Sequence, residues 1–246
     1  MADEWFEIAT LEHFWVQRRF NVLAAILGNM DLSQFKVCEI GCGHGIVQRQ
    51  FFEHYGVEVA GFDLNIKALN MSYAKNLPRY YYNIHERHPD FKRHFDFIIL
   101  FDVIEHIEDD EIFLDSVLYH LKPSGCIAVN VPSLPFLYSD YDRVAGHVRR
   151  YNKGQIRKLG RKLNLTLLKI TYWGMPLIPL LLLRNIRSFL FGNSEKVIER
   201  GFHPPFAFVN KLLGWLSALE IIPQALGGTS LMCLFQYNEK RSIDAR

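Results

Sequence analysis

Three glycines alternate along the stretch VCEIGCGHGI, residues 37–46, which continues an apolar run that carries the acid Glu39. Glycine accepts positive φ angles and lets a ligand reach the backbone, because no Cβ stands in the way. A loop between a buried strand and a helix lies at the carboxyl edge of an open α/β sheet, where such sheets bind ligands. The stretch therefore predicts a ligand-binding loop at Gly41, Gly43 and Gly45.

The residues of this loop also restrict the chemistry of the ligand. A dinucleotide-binding loop reads GxGxxG, and Ile46 stands where its third glycine belongs. No GK[ST] follows, which excludes a triphosphate-binding loop. The carboxylate of Glu39 would repel a pyrophosphate but suits a ligand that carries an amino group or a sulfonium. S-adenosylmethionine carries both groups, so we expect it as the cofactor rather than a nicotinamide dinucleotide.

A second acid, Asp63, ends the next apolar run, VEVAGFD, residues 57–63. A carboxylate at the end of the second strand can accept hydrogen bonds from both hydroxyls of a ribose. Adenosyl and nicotinamide cofactors share this need. Asp63 therefore supports a nucleoside cofactor, and the choice between the two rests on the glycine loop.

Two histidines are candidates for the base that removes a proton from an acceptor. Imidazole has an ordinary pKa of about 6.5, which suits a base at neutral pH. His106 lies in DVIEHIED, after the predicted fourth strand, and His147 lies in the long loop after the fifth. Each could instead hold its loop through hydrogen bonds, and the sequence does not choose between the two.

The loop that contains His147, residues 131–151, is rich in Pro, Ser, Asp and Tyr. A loop of this length is commonly functional. Its polar and aromatic side chains either line the acceptor pocket or form a polar turn with solvated arginines. The candidate acceptor-binding residues are Tyr138, Tyr141, Arg143, Arg149 and Tyr151.

The elements that must position these residues alternate along the chain. Buried strands are predicted at 36–40, 57–62, 95–101 and 126–131, and helices at 46–55, 66–75 and 110–121. This alternation predicts βαβ units, and therefore an α/β fold with a parallel sheet covered by helices. The remaining predicted elements are a helix at 152–163 and strands at 79–83, 165–172 and 230–237.

Two helical regions flank this alternating core. Apolar residues recur at helical spacing in residues 9–27, which predicts a helix that caps the open edge of the sheet. A long apolar segment after the core contains several prolines. The predicted parts are an N-terminal helical cap at 1–30, a cofactor-binding core at 31–173, an apolar helical insertion at 174–222, and a final strand with a tail at 223–246.

The apolar insertion has two interpretations. As a cap, it covers the acceptor site with an apolar wall that excludes water. Alternatively, residues 175–191 contact a membrane surface, with Arg184, Arg187 and Lys196 near anionic headgroups. Its apolar run is shorter than the roughly 20 residues that span a bilayer. In either case we expect an acceptor with a hydrophobic part.

The composition excludes several classes of protein. A net charge of +2 and a pI of about 8.3 do not indicate the basic patch of a nucleic-acid-binding protein. No CxxC pair or zinc-ligand spacing is present, so we predict no metal site. Four cysteines expected to be buried and reduced, and an N-terminus without a signal peptide, predict a cytoplasmic protein.

Four motifs follow one another along the chain: EIGCGHG (39–45), GFDLN (61–65), FDFIILFDVIEHI (95–107) and LKPSGCIAVNVPS (121–133). Together they resemble the motifs of class I S-adenosylmethionine-dependent methyltransferases. HFWVQRR (13–19) and GHVRRYNKGQIRKL (146–159) are similar to a small-molecule, ubiquinone-biosynthesis-like subset. The resemblance implies a Rossmann-like sheet of seven mostly parallel strands, with helices on both faces, an antiparallel last strand and a helical cap.

The resemblance also implies roles for individual residues. In this family the glycine loop and the acid before it hold the methionine part of the cofactor, and the acid after the second strand holds the ribose. The implied cofactor-binding residues are Glu39, Gly41, Cys42, Gly43, Asp63, Leu64, Asn83, Ile84, Phe101 and Asp102. Family members often have Asp where this chain has Asn83.

We therefore expect a methyltransferase that acts on a small, partly hydrophobic acceptor, with oxygen as the acceptor atom and His147 or His106 as the base. One alternative is a lipid-linked, isoprenoid or glycan acceptor at a membrane surface. Another is a protein that binds the cofactor without turnover. The sequence leaves open the acceptor, the choice among oxygen, nitrogen and carbon, the oligomeric state and the pathway.

Overall fold

A seven-stranded sheet forms the centre of the protein in the computed structural model, which describes residues 9–71, 73–191 and 206–239. The strand order is β3-β2-β1-β4-β5-β7-β6. The strands are β1 (Val37–Ile40), β2 (Val59–Asp63), β3 (Arg79–Tyr81), β4 (Phe95–Phe101), β5 (Leu121–Pro132), β6 (Leu165–Trp173) and β7 (Ser230–Tyr237). Only β7 runs antiparallel to its neighbours, β5 and β6, which confirms the predicted fold.

Helices cover both faces of this sheet. They are α1 (Phe14–Leu27), α2 (Ile46–Tyr55), α3 (Ile66–Asn70), α4 (Asp110–His120), α5 (Asp140–Val144), α6 (Lys153–Lys162), α7 (Ile178–Phe191) and α8 (Ala207–Ala218). Successive strand residues point to opposite faces. In β4, Phe97 and Ile99 therefore pack with α1 and α2, while Ile98 and Leu100 pack with α4 and α6.

The register of the central strands brings the predicted site residues to one edge. Ile40 of β1 pairs with Phe62 of β2, and Glu39 pairs with Ile99 of β4. Because these strands are parallel, their carboxyl ends meet at the same edge of the sheet. The glycine loop, the end of β2 and the end of β4 are therefore neighbours.

Two helices differ from their predictions. The N-terminal helix begins at Phe14 and packs on a face of the sheet through residues such as Leu23 and Ile26, so the prediction that it caps the edge is wrong. The helix predicted at 66–75 ends at Asn70. The N–H of Tyr73 donates to the carbonyl of His44 at 2.8 Å, which draws the chain toward the glycine loop.

The helix α8 and the N-terminal helix are held together by polar contacts. Asn210 of α8 accepts from the N–H of Phe14 and donates to the carbonyl of Glu12, both at 2.9 Å. Arg18 of α1 donates to the carbonyl of Glu220 at 2.8 Å. These bonds make the N-terminal helix and the end of the apolar insertion one helical layer on this face.

Gly228, just before β7, gives a test of this packing. A Cβ at this position would lie 2.2 Å from the carbonyl oxygen of Trp173, which is backbone and has no room to move. We expect Gly228→Ala to lower the free energy of unfolding by about 3 kcal/mol, as overpacking does. Urea denaturation measures this change.

Gly214 in α8 is the matched control. Of the described residues, its added Cβ would meet Phe14 alone, at 3.6 Å, which is an ordinary contact. Because alanine favours a helix, we expect Gly214→Ala to raise the stability by about 0.5–1 kcal/mol. A Gly228→Ala protein as stable as the wild type would contradict the close approach of β7 to Trp173.

Candidate active site

The glycine loop lies between β1 and α2. Gly41, Gly43 and Gly45 have φ angles of 78°, 53° and 78°, in the left-handed region that glycine enters without a steric penalty. A Cβ on Gly41 would come within 2.5 Å of Cγ2 of Val103. Gly41 is exposed at the sheet edge, so its backbone is open to a ligand.

Glu39 lies beneath this loop as a buried acid. It is 3% exposed, and within the part of the chain that the structure describes its Oε2 atom has no hydrogen-bond partner. Burial raises the pKa of Glu39 well above its usual value, the charge of Arg19 opposes this rise, and the carboxylates of Asp63 and Asp102 add to it. An unsatisfied buried oxygen is costly unless a ligand completes it. Glu39 therefore fits a cationic group such as the amino group of S-adenosylmethionine.

Asp63 is fixed at the end of β2 by two backbone donors. Its Oδ2 accepts from the N–H of Gly43 at 2.6 Å, and its Oδ1 accepts from the N–H of Asn65 at 2.7 Å. Each carboxylate oxygen can accept a further bond. The side chain is therefore held in place while it keeps the capacity to bind the two hydroxyls of a ribose.

The structure adds Arg19 of α1, which the sequence analysis missed. Its guanidinium donates to Oδ2 of Asp102 at 2.5 Å and lies over the rings of Trp15 and Phe101, at 4.7 and 5.1 Å from their centres. Asn130 donates to Oδ1 of Asp102 at 2.8 Å. The sequence signal that could have indicated Arg19 is the resemblance of residues 13–19 to the small-molecule methyltransferase subset. Arg19 thus supplies a positive charge beside the buried acid of β1.

Asp102 positions this arginine. It has a φ angle of 57°, which is uncommon for a residue other than glycine. Burial raises the pKa of Asp102, although the charge and hydrogen bond of Arg19 oppose the rise. Because the ion pair with Arg19 balances the charge of Asp102, we expect Asp102 to act on the cofactor through Arg19.

The other predicted cofactor residues have different surroundings. Leu64 is 58% exposed directly after Asp63, where an adenine can contact it, and Cys42 is buried. Asn83 is half-buried and accepts from the N–H of His85 at 3.1 Å. The side chain of Ile84 packs in the core on the α4 side. The role of Ile84 in cofactor binding stays a prediction, which its backbone at this turn would have to fulfil.

His147 forms a hydrogen-bonded pair with a buried acid. Its Nδ1 donates to Oδ1 of Asp142 at 2.9 Å, and the same oxygen accepts from Nε of Arg150 at 2.8 Å. Burial opposes ionisation of Asp142, but the hydrogen bond of His147 and the charge of Arg150 outweigh it and lower its pKa. The ionised carboxylate fixes the proton on Nδ1, which leaves Nε2 as the acceptor of a proton.

His106 lies beside His147, with the ring centres 4.9 Å apart. Its Nδ1 donates to the carbonyl of Gly146 at 3.0 Å, and its buried Nε2 has no hydrogen-bond partner in the described ranges. Burial and the neighbouring His147 lower the pKa of His106 to about 4. His106 is therefore uncharged at neutral pH and a weaker base than an ordinary imidazole.

Glu105 joins the two histidines in a cluster that the sequence spacing did not predict. Each of the three residues offers one atom that could bind a metal ion, and these atoms of Glu105, His106 and His147 lie within 4.8 Å of one another. Glu105 is fully buried, and neither of its carboxyl oxygens has a hydrogen-bond partner among the residues that the structure describes. Burial raises the pKa of Glu105 well above its usual value. Two imidazoles and a carboxylate could hold a divalent metal ion, whereas the sequence predicted no such site.

Of the predicted acceptor residues, Tyr138 contacts this cluster, and Tyr141 and Arg143 lie in the same loop segment. The hydroxyl of Tyr138 donates to the carbonyl of His147 at 2.7 Å. Tyr141 lies under the guanidinium of Arg184, and burial raises its pKa to about 12 against the opposing charge of that arginine. Arg143 is exposed and pairs with Asp140 of the same helix.

Arg149 and Tyr151, which the sequence suggested as acceptor-binding residues, instead contact the start of α4. Tyr151 is 2% exposed, and its hydroxyl donates to Oδ2 of Asp110 at 2.8 Å. Arg149 pairs with the same carboxylate at 3.2 Å and donates to the carbonyl of Glu108 at 2.7 Å. Both side chains fasten the long loop to the start of α4. The prediction that Tyr151 lines the acceptor pocket is wrong, because its ring belongs to the core.

The sheet with its antiparallel last strand, the glycine loop and the acids on β1 and β2 form the arrangement that was expected of an S-adenosylmethionine-dependent methyltransferase. A family described as a methyltransferase domain matches residues 13–170. The chain belongs to this family, and S-adenosylmethionine is its cofactor. The open Oε2 of Glu39 and the exposed glycine backbone fit that cofactor.

Curated relatives share part of the chain. A ubiquinone biosynthesis O-methyltransferase of Nitrobacter winogradskyi is 32% identical over 103 residues, which are 40% of this chain and 39% of that protein. The protein with the same name from Rickettsia typhi is 27% identical over 106 residues, 41% of this chain and 42% of that protein. The matched region thus spans about two fifths of the length of these relatives.

Solved structures share the fold over most of the chain. A methyltransferase from Archaeoglobus fulgidus has a TM-score of 0.55 at 14% identity, and covers 89% of this chain and 94% of its own. Phosphoethanolamine N-methyltransferase 2 of Haemonchus contortus, in complex with S-adenosylmethionine, has a TM-score of 0.58 at 19% identity, with 93% and 56% covered. At these identities the likeness concerns the fold alone.

Proposed function

We propose that this methyltransferase transfers methyl to a hydroxyl oxygen of a small acceptor with a hydrophobic part, and that His147 is the base. The hydrogen-bonded pair of His147 and Asp142 carries the proposal. It lies near the cofactor-binding edge, since the ring centre of His147 is 4.9 Å from that of His106, which follows the end of β4. The name of the curated relatives, ubiquinone biosynthesis O-methyltransferase, favours oxygen as the acceptor atom and a phenolic quinone precursor as the acceptor.

Each residue of the site has a defined task in this reaction. Glu39 and the glycine loop hold the methionine part of the cofactor, and Asp63 holds its ribose. The cofactor supplies an activated methyl group, so the protein has to align the acceptor and remove its proton. His147 accepts that proton at Nε2, and Asp142 stabilises the imidazolium that forms. Tyr138 and Tyr141 line the acceptor side.

Transfer of labelled methyl from S-adenosylmethionine to a panel of acceptors tests this function. The panel contains catechols, simple phenols, isoprenoid quinone precursors, lipid-linked sugars and aromatic amines. We expect label on phenolic acceptors. Label on amines alone would contradict O-methylation, and cofactor binding without label on any acceptor would favour a binding protein without turnover.

A membrane-associated acceptor is a second candidate, which exposed apolar residues of the insertion favour. No helix within the described ranges is both long and apolar enough to cross a membrane. However, α7, α8 and their flanks expose large apolar side chains beside the basic Lys211. They are Leu180, Leu182, Leu183, Ile186, Phe206, Phe208, Leu212, Trp215 and Leu219. A surface of this kind suits the interface of an anionic membrane.

Co-sedimentation with vesicles tests this surface. We expect the wild type to bind phosphatidylglycerol-containing vesicles. The double change Phe208→Ser and Trp215→Ser should weaken binding by about tenfold or more, because the two aromatic rings that the membrane interface would bury are absent. Ile112→Ser is the matched control, since Ile112 is 59% exposed on α4. Equal binding by the double variant and the wild type would exclude α8 as the contact.

A further inference from the structure

Arg184 of α7 carries a positive charge from the apolar insertion to the acceptor loop. Its guanidinium carbon lies 4.0 Å from the centre of the Tyr141 ring. The neighbouring Asn185 donates to the carbonyl of Leu137 at 3.2 Å, so α7 is fastened to the same loop. These contacts place a cation in the wall of the acceptor side.

The protein does not satisfy this guanidinium. Among the described residues, its Nε and one terminal nitrogen are buried and have no hydrogen-bond partner. A guanidinium stays charged in proteins and offers five N–H donors in a planar fork. Buried donors of a charged group are costly when they are left open. The arrangement is therefore one that a bound ligand would complete.

Asp142, the acid whose charge acts on Arg184, already has other partners. Asp142 accepts from His147, Arg150 and the N–H of Ser139. Burial lowers the pKa of Arg184. The charges of Tyr141 and Asp142 offset only part of this decrease, and the like charge of Arg150 adds to it. Within the described chain, no carboxylate forms an ion pair with Arg184 in the way that Asp102 does with Arg19.

The position of this open cation relates it to the proposed chemistry. Tyr141, which the guanidinium covers, directly precedes Asp142, and Asp142 orients His147. An anionic group of the methyl acceptor could therefore bind Arg184 while the hydroxyl group of the same acceptor lies at His147. The apolar residues of α7 continue from Arg184 along the insertion.

We propose that Arg184 binds an anionic oxygen group, a carboxylate or a phosphate, of the methyl acceptor. This inference rests on the proposed function and narrows its substrate class. The acceptor then carries a hydroxyl for His147, an anion for Arg184 and a hydrophobic part for the insertion. Carboxylates and phosphates share the geometry that a guanidinium recognises with two parallel hydrogen bonds.

Calorimetric titration of the full chain with small anions tests the inference without turnover. The probes are benzoate and phenyl phosphate, with methyl benzoate as the neutral control, each in the presence of S-adenosylhomocysteine. The variants are Arg184→Gln and Arg184→Lys. Arg157→Gln is the matched control, because Arg157 is exposed on α6.

We expect at least one anion to bind the wild type about 10- to 100-fold more tightly than it binds Arg184→Gln. Methyl benzoate should not distinguish the two proteins, and Arg157→Gln should behave as the wild type. Arg184→Lys should lie between them, because it keeps the charge and loses the fork. The anion that binds more tightly identifies a carboxylate or a phosphate ester as the acceptor group.

The inference is overturned if neither anion distinguishes the wild type from Arg184→Gln. We expect Arg184→Gln to fold, because the Nε atom of Arg184 makes no hydrogen bond to the described residues that the substitution could break. Arg184→Lys provides a second comparison. The methyl-transfer panel is a separate measurement. A protein that binds the anion through Arg184 but methylates no acceptor would refute the proposed function alone.

Discussion

Replacing His147 by alanine should lower kcat/KM for a phenolic acceptor by about 10²- to 10⁴-fold at neutral pH, the usual contribution of a general base. The physical reason is that the ionised Asp142 holds Nδ1 of His147, so that Nε2, which lies 4.0 Å from Oε1 of Glu105, accepts the proton. A phenol ionises by itself near pH 10. The residual activity of the variant should therefore rise with pH, and a pH profile of labelled methyl transfer measures it.

His106→Ala is the matched control for this experiment. Burial lowers the pKa of His106 to about 4, so it binds a proton too weakly to act as the base. We expect a loss of less than about tenfold, from the altered packing against His147. If His106→Ala is as damaging as His147→Ala, and EDTA abolishes wild-type activity until a divalent cation is added, the cluster with Glu105 holds a metal ion and His147 is not the base.

Changing Glu39 to glutamine should have opposite effects on cofactor binding and on stability. The affinity for S-adenosylmethionine should fall by about 10- to 100-fold, because a charged hydrogen bond to the cofactor's amino group is lost. The cofactor-free protein should become more stable by about 1–3 kcal/mol near pH 8, because a buried carboxylate with an open oxygen is removed. Calorimetry and urea denaturation measure the two effects.

The pH dependence of this stability difference follows from the raised pKa of Glu39. An acid whose pKa is higher in the folded protein favours folding while it is protonated. That contribution is fully present below the unfolded value of about 4.3 and is lost as the pH rises through the folded value. The variant should therefore differ little from the wild type near pH 4 and most above the raised pKa.

Glu53→Gln is the control for both measurements. Glu53 is exposed on α2 and pairs only with Arg49 on the same helix, so neither cofactor affinity nor stability should change by more than about 0.5 kcal/mol. A Glu39→Gln protein that is less stable than the wild type near pH 8, with unchanged cofactor affinity, would mean that Glu39 supports the fold rather than the ligand.

The sheet and the cofactor-binding edge follow from local patterns in the chain. Strands covered by helices on both faces need continuous apolar runs, and β4 and β7 span the residues that these runs predict. The glycine loop needs positive φ angles, which only glycine supplies without strain. Because parallel strands end at one edge, Glu39 and Asp63 could be placed together before any coordinates were known.

The direction of individual side chains in the loops did not follow from such patterns. Tyr138, Tyr141 and Tyr151 lie in one aromatic loop, yet Tyr151 enters the core while Tyr138 remains 42% exposed. Ile84 likewise packs inward at a turn that was expected to contact the cofactor. An irregular loop has no period that relates sequence position to a face, so burial there depends on the elements that surround it.

The charged partners were decided by tertiary structure alone. Arg19 meets Asp102 across 83 positions of sequence, and Arg184 reaches Tyr141 from a helix whose apolar pattern predicts only a cap or a membrane contact. The cluster of Glu105, His106 and His147 forms because two loops leave the same sheet edge. Local sequence reveals which residues can carry a charge. Which charges meet, and which stay open for a ligand, depends on how distant elements pack.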